Sequence, residues 1–265
     1  MVFLVVVIIG SIGVVGWRVL SKSKALHPSG IAQTPQADKA AGITWVFNGD
    51  KWSASGDSPS CPDPLTIKSP TDITKATAVL YPGQTRGGSY KPHGGLRFDG
   101  QANEAITVRA PMDIHLVEGS RYIEQGEIQY LLVFQSSCGL AFRFDHLLTL
   151  SSALQAAVDK FPAPKPDDSQ TTKLNTALNL KAGDTIATAV GFKNTKNVSF
   201  DFGVYDLRTP NLASKNTEYA AAHQSDKAQS FYAVCWVNLL KGDDAHTALA
   251  LPGADQTAGK TSDYC

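Results

Sequence analysis

The residues best placed to do chemistry lie in one short run, Lys91-Pro92-His93-Gly94-Gly95-Leu96-Arg97-Phe98-Asp99. The run offers an imidazole, a fixed cation and a carboxylate, of which the first and last could ligate a metal. A catalytic zinc needs three protein donors and an open position for water. Arg97 stays protonated and has no lone pair, so it cannot be one of them. Asp99 could stand in only if the chain folds back at Gly94-Gly95, because His93 and Asp99 lie roughly 20 Å apart along an extended strand. Arg97 would then sit beside a divalent cation and oppose its binding. His27, His115, His223 and His246 sit in no ligand-like spacing and read as structural or exposed. The pattern Asn197-Val198-Ser199 matches a glycosylation acceptor but is short and common, and receives no role.

Four further segments follow in order: Ile106-Thr107-Val108-Arg109-Ala110-Pro111-Met112-Asp113, Phe144-Asp145-His146-Leu147, Leu180-Lys181-Ala182-Gly183-Asp184-Thr185-Ile186 and Ser199-Phe200-Asp201-Phe202-Gly203-Val204. Together with the His93 run they resemble the motifs of the lysostaphin-type (LytM-like) zinc endopeptidases of peptidoglycan. Those motifs read H-x-x-x-D, V-x-A-P-x-D/G, Y-x-H-L, V-K-x-G-x-x-I and H-x-H-F-E-V. The resemblance covers roughly residues 80–205, about half of the chain. It implies that His93 occupies the first ligand position, Arg97 the carboxylate ligand and Asp201 the last ligand. It likewise puts His146 at a catalytic histidine and Ser199 where a second catalytic histidine belongs. The implied site is a degenerate zinc-peptidase site with vestigial ligand positions His93, Arg97 and Asp201, a vestigial catalytic His146 and no cofactor. Zinc enters only under the alternative in which His93, Asp201 and Asp99 supply the donors. Since family positions 97 and 201 hold ligands of one metal, the resemblance also implies an Arg97–Asp201 ion pair in the metal's place, with both side chains turned away from the apolar core.

The elements that must position these residues are mostly β. The runs 76–81, 105–108, 128–134 and 139–144 are short, β-rich and separated by Gly, Pro, Asn and Ser clusters, which suits a sandwich or barrel. Asn48-Gly49 between Trp45, Phe47 and Trp52 signals a hairpin whose aromatic residues form its core. Residues 152–161 carry apolar side chains at helical spacing after a serine cap, and 162–168 reads as a Pro-rich loop, so 152–178 is expected to be a helical insertion. The expected fold is mainly β: a lysostaphin-type barrel or sandwich, a duplicated hybrid motif, with that insertion and an N-terminal transmembrane helix. The expected divisions are an anchor or signal over 1–20, a flexible linker over 21–42, a peptidase-like β domain over 43–210 and a C-terminal extension over 211–265 that packs on it.

Residues 1–17 form an uncharged apolar run that continues past Arg18 to Leu20, just long enough to span a bilayer. No basic start and no clear cleavage site accompany it, which favours an uncleaved single-pass anchor over a signal peptide. Arg18, Lys22 and Lys24 follow the span, and the positive-inside rule would hold that side in the cytoplasm. The even count of four cysteines points the other way, to an extracytoplasmic, oxidising compartment. No C-x-x-C pair exists, so disulfides are expected rather than a metal site. Three pairings are open, among them Cys235 with Cys265, which would tie down the tail and leave Cys61 with Cys138.

Twenty-four basic and 24 acidic side chains balance, and no basic stripe interleaves with aromatic residues, so nucleic acid is not an expected partner. The sequence therefore leads to a membrane-tethered, peptidase-like envelope protein without catalytic activity, which binds peptidoglycan or regulates wall hydrolases. Its alternatives are an active zinc endopeptidase with non-standard ligands and a structural envelope module.

Overall fold

The computed structural model describes residues 42–265. The expected anchor over 1–20 and the linker up to residue 41 lie outside them. Among the described residues no helix is long and apolar enough to cross a membrane.

Strands dominate. The chain opens with β1 (Trp45–Phe47) and β2 (Trp52–Ala54), an antiparallel hairpin, and continues with β3 (Ala78–Leu80), β4 (Gln84–Arg86), β5 (Ser89–Lys91), β6 (Gly94–Arg97) and β7 (Val108–Arg109). The long strands β8 (Ile114–Glu124), β9 (Glu127–Gln135) and β10 (Leu140–Leu150) lead into helix α1 (Ser152–Val158). Then come β11 (Thr172–Leu180), β12 (Thr185–Val190) and β13 (Ser199–Asp206), followed by the short helices α2 (Thr217–Ala222), α3 (Lys227–Ser230) and α4 (Gly242–Ala250).

The main sheet runs β11-β8-β9-β10-β13-β6-β3, with β12 joined to β10 and β7 to β12. It does not close, which corrects the expected barrel. The reason lies in β10, which changes partner along its length. Residues 140–145 pair with β13, whereas 147–150 pair with β12 through shifted register. The sheet therefore branches at the end of the site strand instead of curling back on itself. One outer edge, β3, is capped by the tail: Val79 donates to Pro252 O and accepts from Ala254 N. Such capping hides an edge that would otherwise offer unpaired backbone groups. The expected insertion also needs correcting. Helix α1 lies within it, but 172–178 belongs to edge strand β11, whose Leu178 lies opposite Leu116 of β8.

Strand alternation decides which face is which. Leu96, Phe98, Leu132, Phe134, Phe142, Phe144, Phe200 and Phe202 are fully buried in one cluster. Phe144 and Phe202 meet at 5.1 Å between ring centres, and Trp236 from the C-terminal region packs edge-on against Phe202 at 5.4 Å. The residues between these apolar positions, Arg143, Asp145, Ser199, Asp201 and Gly203, consequently line the opposite face.

The bridges join Cys61 to Cys138 and Cys235 to Cys265, closing loops over sequence separations of 77 and 30 residues. Loop-closure entropy gives stabilisations of about 4.5 and about 3.5 kcal/mol for loops of these sizes. Replacing both cysteines of either pair by alanine should lower the urea-unfolding free energy by about that much. A variant of Cys235 and Cys265 as stable as the parent would show that this bridge does not hold the tail.

Candidate functional site

His93 ends the β5–β6 connection and enters a space kept clear by glycines. A Cβ on Gly94 would stand 2.2 Å from Leu80 O, and one on Gly95 would stand 2.5 Å from Phe200 O and 3.3 Å from Asp201 Oδ1. Across the sheet, a Cβ on Gly203 would meet His93 Cβ at 2.9 Å and the Tyr205 hydroxyl at 2.8 Å. No larger residue fits these positions without moving a strand. Below them, the buried Arg86 pins the entry to β6, donating from Nη2 to His93 O at 3.0 Å and from Nη1 to Tyr81 O at 2.7 Å.

Register then brings the acidic groups together. Asp201 of β13 lies directly opposite Gly95 on one side and Asp145 of β10 on the other. Two like charges facing each other across strands are destabilising. Arg143, two residues before Asp145 and on the same face, relieves them. Its Nη2 donates to Asp145 Oδ2 at 2.7 Å, and its Nη1 lies 3.8 Å from Asp201 Oδ2. Burial works against the Arg143 charge, but Asp145, Tyr205 and Asp201 outweigh it and raise its pKa above the ordinary value.

His146 joins the cluster through an unusual backbone. Simple alternation would turn it to the face opposite Asp145, but its φ of +59° is left-handed, a rare and costly state for a residue with a side chain. It stands where β10 leaves β13. Its N–H donates to Asp145 Oδ1 at 2.8 Å, its carbonyl accepts from Gly191 N at 2.7 Å, and its ring packs on Phe192. The ring nitrogens come within 3.7 Å of Glu124 Oε2 and 3.9 Å of Asp201 Oδ2. Tyr122 completes the shell, donating from its hydroxyl to Asp145 Oδ1 at 2.8 Å.

His93 Nε2 stands 3.0 Å from Asp201 Oδ2. Burial and the Arg143 cation together outweigh the attraction of Asp201 and lower the His93 pKa from 6.5 to about 4. Its imidazole is therefore neutral at neutral pH. For Asp201, burial alone would favour the protonated form, but His93, His146 and Arg143 overcome it and hold the carboxyl well below the usual range. The result is a shielded carboxylate between two imidazoles and a guanidinium.

Of the residues singled out in sequence, His93, His146 and Asp201 come together here. Arg97 and Asp99 do not join them. Arg97 lies opposite Ser199 rather than Asp201, and its guanidinium donates to Asp99 Oδ1 at 2.7 Å, with both side chains about half exposed. The expected Arg97–Asp201 ion pair is thus not formed, because register offsets the two residues and Arg143 already stands beside Asp201. Asp99 also accepts from Thr77 Oγ1 at 3.0 Å, tying it to the β3 edge. Ser199 is buried and its hydroxyl donates to Asn197 Oδ1 at 3.3 Å. Arg143, Asp145 and Tyr122 escaped the sequence reading. The first two carried a signal, since charged residues alternate with phenylalanine in Phe142-Arg143-Phe144-Asp145 and so must share a face.

The positions that the resemblance assigns as ligands offer a catalytic zinc only two donors. His93 and Asp201 converge as two donors would, but position 97 is a cation turned away to Asp99, and Ser199 is a poor donor already hydrogen-bonded. Asp145, His146 and Asp201 also bring potential ligand atoms within 4.8 Å of one another. Asp145 already accepts three hydrogen bonds, from Tyr122, Arg143 and the His146 backbone, and the Arg143 guanidinium stands against its Oδ2. No family model, no curated protein and no solved structure matches the chain.

The lowered His93 pKa has a direct consequence for stability. Below pH 6.5 the unfolded chain takes up a proton that the folded imidazole refuses until about pH 4. Stability should be insensitive to this group above pH 6.5 and should fall by about 3 kcal/mol as pH drops through that window. Urea unfolding of the parent and of His93→Gln across this range should differ in slope, with the variant flatter. Identical slopes would mean that His93 titrates normally in the folded protein.

Proposed function

We propose that this chain is a peptidase-like module of the cell envelope that binds peptidoglycan, or regulates the hydrolases acting on it, without cleaving it. In this reading residues 1–20 tether it to the membrane and the body lies outside the cytoplasm. The observation that carries it is the state of Asp201. This residue, which the resemblance places at the last metal ligand, touches His93 and neighbours Arg143, so a cation of the protein's own offsets part of its charge.

Other features support the reading. The β5–β6 connection, β10 and β13 bring His93, His146 and Asp201 together from three distant segments. Two further segments of the resemblance also meet: Asp113 accepts from Ala182 N at 2.9 Å and Lys181 Nζ at 3.0 Å, and Gly183 N donates to Ala110 O. Two disulfides suit an oxidising compartment. The step from this likeness to peptidoglycan is by analogy of fold and site.

The active zinc endopeptidase is favoured by one observation, the proximity of Asp145, His146 and Asp201. It would require a metal to settle close to the Arg143 guanidinium, which donates to Asp145 Oδ2 and lies 3.8 Å from Asp201.

Incubating the full chain with insoluble peptidoglycan separates these outcomes. Sedimentation with the polymer, and no release of soluble fragments with or without added zinc, is the expected result. Zinc-stimulated release would establish the enzyme instead, and failure to sediment would leave regulation of a wall hydrolase as the surviving form of the proposal.

A further inference from the structure

Beyond α4 the chain runs back across the body, and residues 252–265 form a strap. None of them is buried, yet the stretch they cross, Tyr81-Pro82-Gly83-Gln84, is buried throughout. The strap is a cover without a core of its own. Its contacts are polar and go largely to backbone. Val79 N donates to Pro252 O at 2.9 Å and Ala254 N donates to Val79 O at 2.8 Å, which closes the β3 edge. Gln84 Nε2 donates to Gly259 O at 3.1 Å and to Thr261 O at 2.6 Å, and Asp263 N donates to Gly83 O at 3.1 Å. The seat is shaped to receive it. A Cβ on Gly83, whose φ is +74°, would stand 2.9 Å from the Tyr264 ring and 3.0 Å from Asp263 N. With glycine there, the Tyr264 hydroxyl comes within 2.6 Å of that of Tyr219 and accepts from Tyr90 at 3.0 Å.

One covalent bond fastens the strap. Cys265, next to Tyr264, is exposed, whereas its partner Cys235 is 7% exposed and packs in the core. A thiolate can therefore approach this bridge from the Cys265 side, and access is one of the factors that set the rate of thiol–disulfide exchange. In the other bridge neither Cys61 nor Cys138 is exposed. Segments with few buried apolar contacts open locally well before the global fold does. The bridge is what keeps this one down.

A contiguous set of contacts carries the position of the strap to His93. Gln84, held by the strap, accepts from Arg86 Nη1 at 3.3 Å through Oε1, and Arg86 Nη2 donates to His93 O at 3.0 Å. The strap thus steadies the backbone from which the imidazole enters the site.

We propose that residues 252–265 are a redox-released strap. A dithiol reductant opens Cys235–Cys265 selectively, the strap lifts, and the β3 edge and the entry to β6 loosen while the rest of the fold persists. One thiolate of the reductant attacks Cys265 Sγ, and Cys235 Sγ leaves and takes up a proton. The second thiol of the reductant then displaces Cys265 Sγ, so that the two electrons and two protons of the dithiol end on the two cysteines and the reductant becomes a disulfide. The inference concerns access to the site and does not depend on what the site binds.

The test treats the full chain with increasing dithiothreitol, alkylates and maps the free thiols by mass spectrometry, and follows hydrogen exchange on the same samples. Cys235 and Cys265 should be alkylated at concentrations that leave Cys61–Cys138 intact. In that state the amides of Val79 and Ala254 should exchange at least about tenfold faster, while β8, β9 and β10 stay protected. His93 should also react faster with diethyl pyrocarbonate. The double variant Cys235→Ser, Cys265→Ser should show the same fast exchange without reductant and no response to it. The proposal is overturned if Cys61–Cys138 opens first or together with the other bridge, if exchange at Val79 is unchanged in both the reduced and the doubly substituted protein, or if protection is lost throughout the sheet. Unchanged His93 reactivity under a released strap would overturn the link to the site.

Discussion

Arg143 is the residue on which the site depends. Asp145 and Asp201 lie directly opposite each other on neighbouring strands, both largely shielded from water, and Arg143 is the one group that contacts both as a fixed cation. Breaking a buried charge cluster by removing one member leaves an uncompensated ion, which is far more damaging than never having built the cluster. Register is fixed by the same residues. Sliding β13 one residue past β10 would drive Asp201 into the layer of Phe142, Phe144, Phe200 and Phe202 and push the rings onto the charged face. The aromatic core and the charged face therefore specify each other.

The glycines and the left-handed His146 are the local adjustments that this arrangement needs. Gly95 and Gly203 remove side chains where His93, Asp201 and Tyr205 approach the backbone. The turn at His146 rotates an imidazole toward Asp201 at the point where β10 changes partners. That partner exchange also leaves the sheet branched and open, so one irregularity shapes both the site and the architecture.

Much of this is legible in the sequence. Alternation in Leu96-Arg97-Phe98, Phe142-Arg143-Phe144 and Phe200-Asp201-Phe202 marks a β-sheet with one aromatic face, and the hairpin at Asn48-Gly49 follows from its turn residues. The partner of Asp201 was not legible, because cross-strand neighbours depend on register, and register between segments about a hundred residues apart is not written locally. Arg97 was the cation nearest in motif, whereas Arg143 is the cation nearest in space. Closure into a barrel failed for a similar reason, since the shift at His146 leaves no mark in composition. Strand β11 was hidden by its polar residues, which suit an edge with one face in water. The hairpin aromatics were read as hairpin core, and they do pack on the body, but they also wall a cavity that only the folded chain brings into being.

The proposal of a non-cleaving module turns on Arg143, a cation of the protein's own that stands beside Asp201 where a metal would have to bind. Arg143 offsets part of the charge of Asp145 and Asp201, and a metal bound beside His93 and Asp201 would have to settle next to that cation. Zinc content is the most direct measurement of this claim. Elemental analysis of the purified full chain, exposed to excess zinc and then passed free of unbound metal, should find zinc far below one atom per chain. One firmly held zinc per chain, lost on replacing Asp201 by alanine, would contradict the account.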